Sequence, residues 1–267
     1  MGTFCELTIN GYDIFEIKNS YQSEVINLIF DESDFLVEQA VGDDYISKKF
    51  VSQAGVCKKR LEIYGNSLSK SKADFNLALK KHKDEYENTF DNEKEISFEY
   101  YQEIIRASIL SGEKKYDECD DYFSTNFEKF IKSNDLGVPY QRLECLLWSI
   151  FDSIDKDIEI VYDLTFIIES GWITTQPERE VDFQKIIILT EGKTDTEFIK
   201  KGINLFYPYL NSRYHFMDFE NSNYESSASR LVQTVKAFVG SGIKNKIVAL
   251  FDNDTAKIGH SIPPSPD

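Results

Sequence analysis

The chain has no pair of cysteines placed to share a zinc ion or a redox disulfide. Cys5, Cys57, Cys119 and Cys145 stand far apart, and no C-x-x-C occurs. That excludes a zinc knuckle and a thioredoxin-like centre, and it fits reduced thiols in a cytoplasmic protein. Long apolar runs are missing as well. None approaches the roughly 20 residues that span a bilayer, so no membrane partner is expected. The opening "MGTFCELTING" lacks a basic stretch followed by an apolar one, which excludes a secretory signal. Gly2 suits N-myristoylation, but Glu6 stands where that motif needs Ser or Thr. A P-loop is absent too. Gly192-Lys193-Thr194 matches its last residues, yet Ile187 stands where its first glycine belongs. Ile186, Ile187, Ile188 and Leu189 fill the place where the backbone would have to wrap phosphates.

What is present is core-forming material and negative charge. The 267 residues are 41% hydrophobic and 14% aromatic, enough for one large or two ordinary domains. The net charge of −16 is unevenly spread. Residues 1–182 hold 20 basic against 37 acidic side chains, and residues 183–267 hold 10 against 9. An acidic surface repels nucleic acid unless metal ions or a basic patch intervene. The first segment is therefore a poor nucleic-acid platform, and the second is permissive.

Asn10-Gly11 joins two short runs and predicts a β-hairpin over 3–17, because both residues tolerate positive φ. From about 22 to 170 the signal is helical. Phe75, Leu79, His82 and Tyr86 share one face, Gly112 suits a C-cap, and Pro139 precedes a helix carrying Leu143, Leu146, Leu147, Ile150 and Phe151 inward. His82 reads as a core or rim histidine. Tyr100, Tyr101, Trp148 and Trp172 read as core rather than as a base-stacking platform. "TTQPERE", 174–180, is a polar joint. After it "KIIILTE", "YHFMDF" and "NKIVALFDND" read as strands, with helices between them. The last helix stops at Gly240 or Gly242. The fold class is α+β overall: a hairpin and a helical module over 1–180, an α/β domain with a parallel sheet over 184–256, and a Pro-rich tail over 257–267.

Ligands of such sheets sit at the carboxyl ends of the strands. Glu191 stands at one such end and Asp252 and Asp254 at another. Flanking Asn253 in an extended segment, the two aspartates point to one side. Three converging carboxylates require a counter-charge. Oxygen ligands suit Mg²⁺ or Mn²⁺, which also accept phosphate oxygens, so metal-assisted phosphoryl transfer is the expected chemistry. Plainer readings stand beside it. Glu191 can serve as an acid at a helix N-terminus, and Asp252 with Asp254 can form an Asx-turn. Lys193 can neutralise a phosphate oxygen or sit solvated in a turn. Arg213, Arg230, Lys236, Lys244 and Lys246 read as solvated surface.

"LTEGKTDTEFI" followed by "VALFDND" resembles the Toprim (topoisomerase–primase) domain over about residues 184–256. The resemblance implies Glu191 as general acid/base and metal ligand, Asp252 and Asp254 as metal ligands, and Asp195 as a supporting ligand. Toprim domains act in topoisomerases, primases and nucleases of the overcoming-lysogenization-defect class. "MGTFCELTINGYDIF", "CKKRLEIYG" and "DLTFIIESGWI" resemble the N-terminal region of bacterial HEPN/Toprim-associated proteins over about 1–180. The two resemblances together imply a Mg²⁺- or Mn²⁺-dependent nuclease acting on DNA or RNA in defence against phage or mobile elements.

The chain departs from these patterns twice. Active HEPN ribonucleases carry an Arg with a His five to seven positions later, and His82, His215 and His260 have no such Arg. A Toprim sheet also gains a strand and helix after its D-x-D, where this chain has "TAKIGHSIPPSPD". The sheet is therefore expected to lack its last strand, either because the chain is truncated there or because a homo-oligomer or a partner protein completes the sheet. These departures imply the alternative of a catalytically inactive sensor or assembly subunit.

Overall fold

A computed structural model describes residues 2–39, 46–86, 90, 96–112, 126–174, 177, 185–217 and 228–252. The chain divides into two compact units, 1–182 and 183–267.

The first unit begins with β1 (Phe4–Ile9) and β2 (Tyr12–Lys18), paired antiparallel. Asn10 and Gly11 close the hairpin at φ of 53° and 75°, the left-handed values that a two-residue turn requires. The register shifts between Leu7 and Thr8. Ile14 and Phe15 are both buried there, as a bulge allows.

The hairpin is part of a larger sheet than the sequence suggested. Its order is β2-β1-β5-β4-β3, with every pairing antiparallel. The additional strands are β3 (Phe35–Gln39), β4 (Ile46–Gln53) and β5 (Glu159–Asp163). All three fall in the stretch expected to be helical, so that expectation is corrected. β5 inserts between the hairpin and β4, tying the start of the unit to its end. Alternation then sorts the side chains. Cys5, Leu7, Ile9, Phe50, Ile160 and Tyr162 form a buried face, while Lys49, Val161 and Asp163 are half-buried on the other. Tyr162 locks the assembly, because its hydroxyl accepts the Gln22 amide at 2.9 Å.

Helices α1 (Ser23–Ile29), α2 (Ala54–Ile63), α3 (Leu68–Glu85), α4 (Phe98–Ser111), α5 (Phe127–Ser133) and α6 (Leu143–Ser153) complete the core, with α7 (Thr165–Glu169) after β5. Local capping explains several starts. Ser67, Ser97 and Asn126 accept the amides of Lys70, Tyr100 and Lys129. α6 packs on α2, α3 and α4. Its start is pinned to α3, because Asp74 accepts the Arg142 amide at 2.9 Å and its Nε at 2.7 Å. Between the helices lies an aromatic cluster in which Phe75 meets Tyr101, Phe98 and Phe127. Such contacts contribute about 0.5–1.5 kcal/mol each beyond burial, more than a typical exposed ion pair.

The second unit is a parallel sheet of order β7-β6-β8. Its strands are β6 (Ile186–Thr190), β7 (Tyr214–Phe216) and β8 (Ile247–Leu250). Helix α8 (Lys193–Phe206) and a 3-10 turn (Pro208–Arg213) join β6 to β7, and α9 (Ala228–Gly240) precedes β8. Buried Ile186, Ile188, Leu189 and Thr190 make β6 the centre of the sheet. The chain as a whole is α+β, with an antiparallel sheet and helices first and a small parallel sheet second. The expected loss of a further strand, and the Pro-rich tail, fall on 253–267, outside the described residues.

Candidate functional site

The site is built where β6 and β8 end. The two strands pair in parallel with Thr190 opposite Leu250. Glu191 follows the first directly, and Asp252 follows the second by two residues. Neighbouring strands lie about 4.8 Å apart, so both acidic residues emerge at one corner of the sheet. Glu191 is half-buried and Asp252 is exposed. Asn253 and Asp254 lie outside the described residues. Among the described residues no group of three or more His, Cys, Asp or Glu side chains is assembled.

The turn after β6 is short because α8 begins at Lys193, with Gly192 as its N-cap. Asp195, in the first helical turn, folds back toward that cap. Its Oδ2 lies 3.1 Å from the point that a Cβ on Gly192 would occupy, so a larger residue there would displace the carboxylate. Lys193 is exposed. The hydroxyl of Thr190 donates to the Gly192 carbonyl at 2.8 Å and stands 2.6 Å from the Thr196 hydroxyl. Thr190 and Thr196 were not singled out from the sequence, where hydroxyl residues around a turn carry no distinctive signal.

Glu191 and Asp252 are hard oxygen donors on adjacent strand ends, and the α8 N-terminus brings partial positive charge to the same corner. Mg²⁺ is usually held by one or two carboxylates with water and phosphate oxygens in its remaining positions. The two described carboxylates fit that donor set, with Asp195 nearby on the helix that leaves the corner.

Other chemistry-bearing residues are structural. His82 is 1% exposed, and its ring centroid lies 4.9 Å from Tyr86 and 4.8 Å from Phe130. Burial lowers its pKa, with the Glu85 charge acting weakly the other way. Tyr101 is buried and donates to the Leu136 carbonyl, and Trp148 is buried. Tyr100 and Trp172 are exposed, so the expectation that all four aromatics are core is corrected. Arg213, expected on the surface, is fully buried at the end of the 3-10 turn before β7. Cys5, Cys57 and Cys145 are buried cysteines, and Cys119 lies outside the described residues. No described helix is long and apolar enough to cross a membrane.

A family model described as HEPN/Toprim N-terminal domain 1 matches residues 1–188. The chain belongs to the HEPN/Toprim N-terminal domain family. The match covers the whole first unit, with its antiparallel sheet and the helices described above, and ends inside β6. Comparison with curated proteins and with solved structures gave no match. Membership therefore rests on the first unit, while the acidic corner lies beyond the matched residues.

Proposed function

We propose that this HEPN/Toprim family member is a Mg²⁺- or Mn²⁺-dependent Toprim-type nuclease that cleaves phosphodiesters of DNA or RNA, serving defence against phage or mobile elements. The in-register parallel pairing of β6 with β8 carries this reading, because Glu191 and Asp252 follow adjacent strand ends. A bound divalent ion would neutralise the scissile phosphate and lower the pKa of an attacking water. Asp252 and Glu191 would hold that ion, joined by Asp254, with Asp195 in support. Glu191, half-buried at the start of α8, would transfer the proton between nucleophile or leaving group and solvent. Lys193 would approach a phosphate oxygen from the first turn of that helix. The near-neutral balance of residues 183–267 leaves this unit approachable by a polyanion, unlike the acidic first unit.

The test is cleavage by the purified chain. Plasmid DNA, single-stranded DNA and RNA are offered with Mg²⁺ or Mn²⁺, against EDTA and against Asp252→Asn. Metal-dependent cleavage is expected, and Asp252→Asn should reduce it at least about 100-fold, the scale of one lost transition-state contact. Cleavage unchanged in the variant would sink the reading.

One observation favours a second role for the first unit. His82 is enclosed by aromatic rings, and neither ring nitrogen has a hydrogen-bond partner among the described residues. A histidine so enclosed does not reach a substrate, so the first unit acts as a sensor or assembly module rather than as a ribonuclease. If no substrate is cleaved under any condition, that role extends to the whole chain.

A further inference from the structure

We infer that the hydroxyls of Thr190 and Thr196 form a relay that positions Glu191, an inference that rests on the proposed metal site. A threonine hydroxyl has one proton. The Thr190 proton is committed to the Gly192 carbonyl at 2.8 Å. At 2.6 Å from Thr196, Thr190 therefore accepts, and the Thr196 hydroxyl donates. The chain of bonds runs from the fourth residue of α8, through the last residue of β6, to the residue after Glu191.

The consequence for Glu191 is geometric. The side chain of its predecessor is bonded to the carbonyl of its successor, so the backbone on both sides of Glu191 is closed into one ring. The same carbonyl accepts the Thr196 amide at 3.4 Å, which joins the ring to the helix. Thr190 is 6% exposed, so water competes poorly for these bonds. The half-buried Glu191 carboxylate is thereby launched from a backbone with little freedom at the corner it shares with Asp252. Thr190 and Thr196 are positioning residues, with no contact to substrate required of either. Outer-shell partners of this kind typically change metal affinity by about 10–100-fold when removed.

The test uses the full chain and Mn²⁺ as the probe. Thr196→Val removes the donor while keeping the branched shape, and Thr196→Ser restores the hydroxyl. Mn²⁺ affinity is measured by titration calorimetry, backbone amide exchange over 190–197 by mass spectrometry, and thermal unfolding as a control. Thr196→Val should weaken Mn²⁺ binding about tenfold and speed exchange over that segment. Thr196→Ser should match the parent in both, with unfolding temperatures alike. The relay is overturned if Thr196→Val behaves as the parent, or if Thr196→Ser is impaired as much as Thr196→Val. A parent chain that binds no Mn²⁺ overturns the metal site and the relay's role in it. The exchange measurement then reads the hydrogen-bond relay alone, which stands if Thr196→Val speeds exchange and Thr196→Ser does not.

Discussion

The two units use their carboxylates in opposite ways. In the first, Arg60 is 1% exposed, and its guanidinium bonds Asp34 and the Ile29 carbonyl, with Asp31 4.0 Å away. Asp74 likewise anchors Arg142. Arg60 meets its acids inside the fold, Asp74 holds the half-exposed Arg142 from a buried position, and together they tie α1, α2, α3 and α6. In the second, Glu191 and Asp252 stand together at a corner, and Asp195 turns toward the cap of α8. Like charges gathered at one edge contribute nothing to cohesion, because they repel unless a cation joins them. The first unit uses carboxylates as structure. The second sets them at the ends of adjacent strands.

The strongest way to break that contrast is to remove Arg60. Arg60→Ala leaves the half-buried Asp34 without its cation and empties a buried site, and losing one partner of a buried pair costs up to about 3–5 kcal/mol. Both tryptophans, Trp148 and Trp172, lie in the first unit, so their fluorescence reports on it alone. The urea midpoint read by tryptophan should fall sharply in Arg60→Ala and stay in place in Asp252→Asn. A matching shift in Asp252→Asn would mean that the acidic corner also holds the fold together.

How much of this was legible follows from range. Asn10-Gly11 announced its hairpin because the turn is chosen by two adjacent residues. The run "IIILT" announced a central parallel strand because both faces of such a strand are covered, "IVAL" repeated its apolar pattern at the half-buried edge, and the rule that ligands gather at strand ends pointed to Glu191 and Asp252. β4 was hidden by Lys48 and Lys49, which interrupt its apolar pattern yet sit half-buried in the sheet. β5 was hidden differently. "EIVYD" alternates well, but its partner β1 lies some 150 residues earlier, and pairing at that distance leaves no local mark. The Thr190–Thr196 bond and the burial of Arg213 depend on contacts that no spacing rule encodes.

A smaller effect within the first unit is read by pH. Burial holds the His82 pKa below its ordinary value of 6.5. The folded state therefore resists protonation while the unfolded state accepts it. The neutral ring's contribution to stability is fully present above pH 6.5 and is lost progressively as pH falls from there toward the depressed folded value. Asp34 is pulled both ways: burial raises its pKa, and the Arg60 guanidinium bonded to it acts in the other direction. His82→Leu isolates the first effect. Tryptophan-detected stability of the parent should decline between pH 7 and 5 more steeply than that of His82→Leu. Parallel profiles would show that His82 titrates normally despite its aromatic enclosure.

The smallest effect expected is a gain, and it sharpens the comparison from the side of the second unit. None of the residues of α8 is buried, whereas α6 in the first unit buries Cys145, Leu147, Trp148, Ser149, Ile150 and Phe151. A helix held so lightly depends more on its own backbone preferences. Gly202 lies inside α8, and a Cβ built there meets nothing within 4 Å. Gly202→Ala therefore adds no clash and removes unfolded-state freedom, for a stabilisation of about 0.5–1 kcal/mol. Amide exchange along α8 should slow by a corresponding few-fold, while the tryptophan-detected midpoint of the first unit stays unchanged. A gain in both would mean that the units unfold as one cooperative body. A loss in α8 would mean that the open side of Gly202 is where something packs.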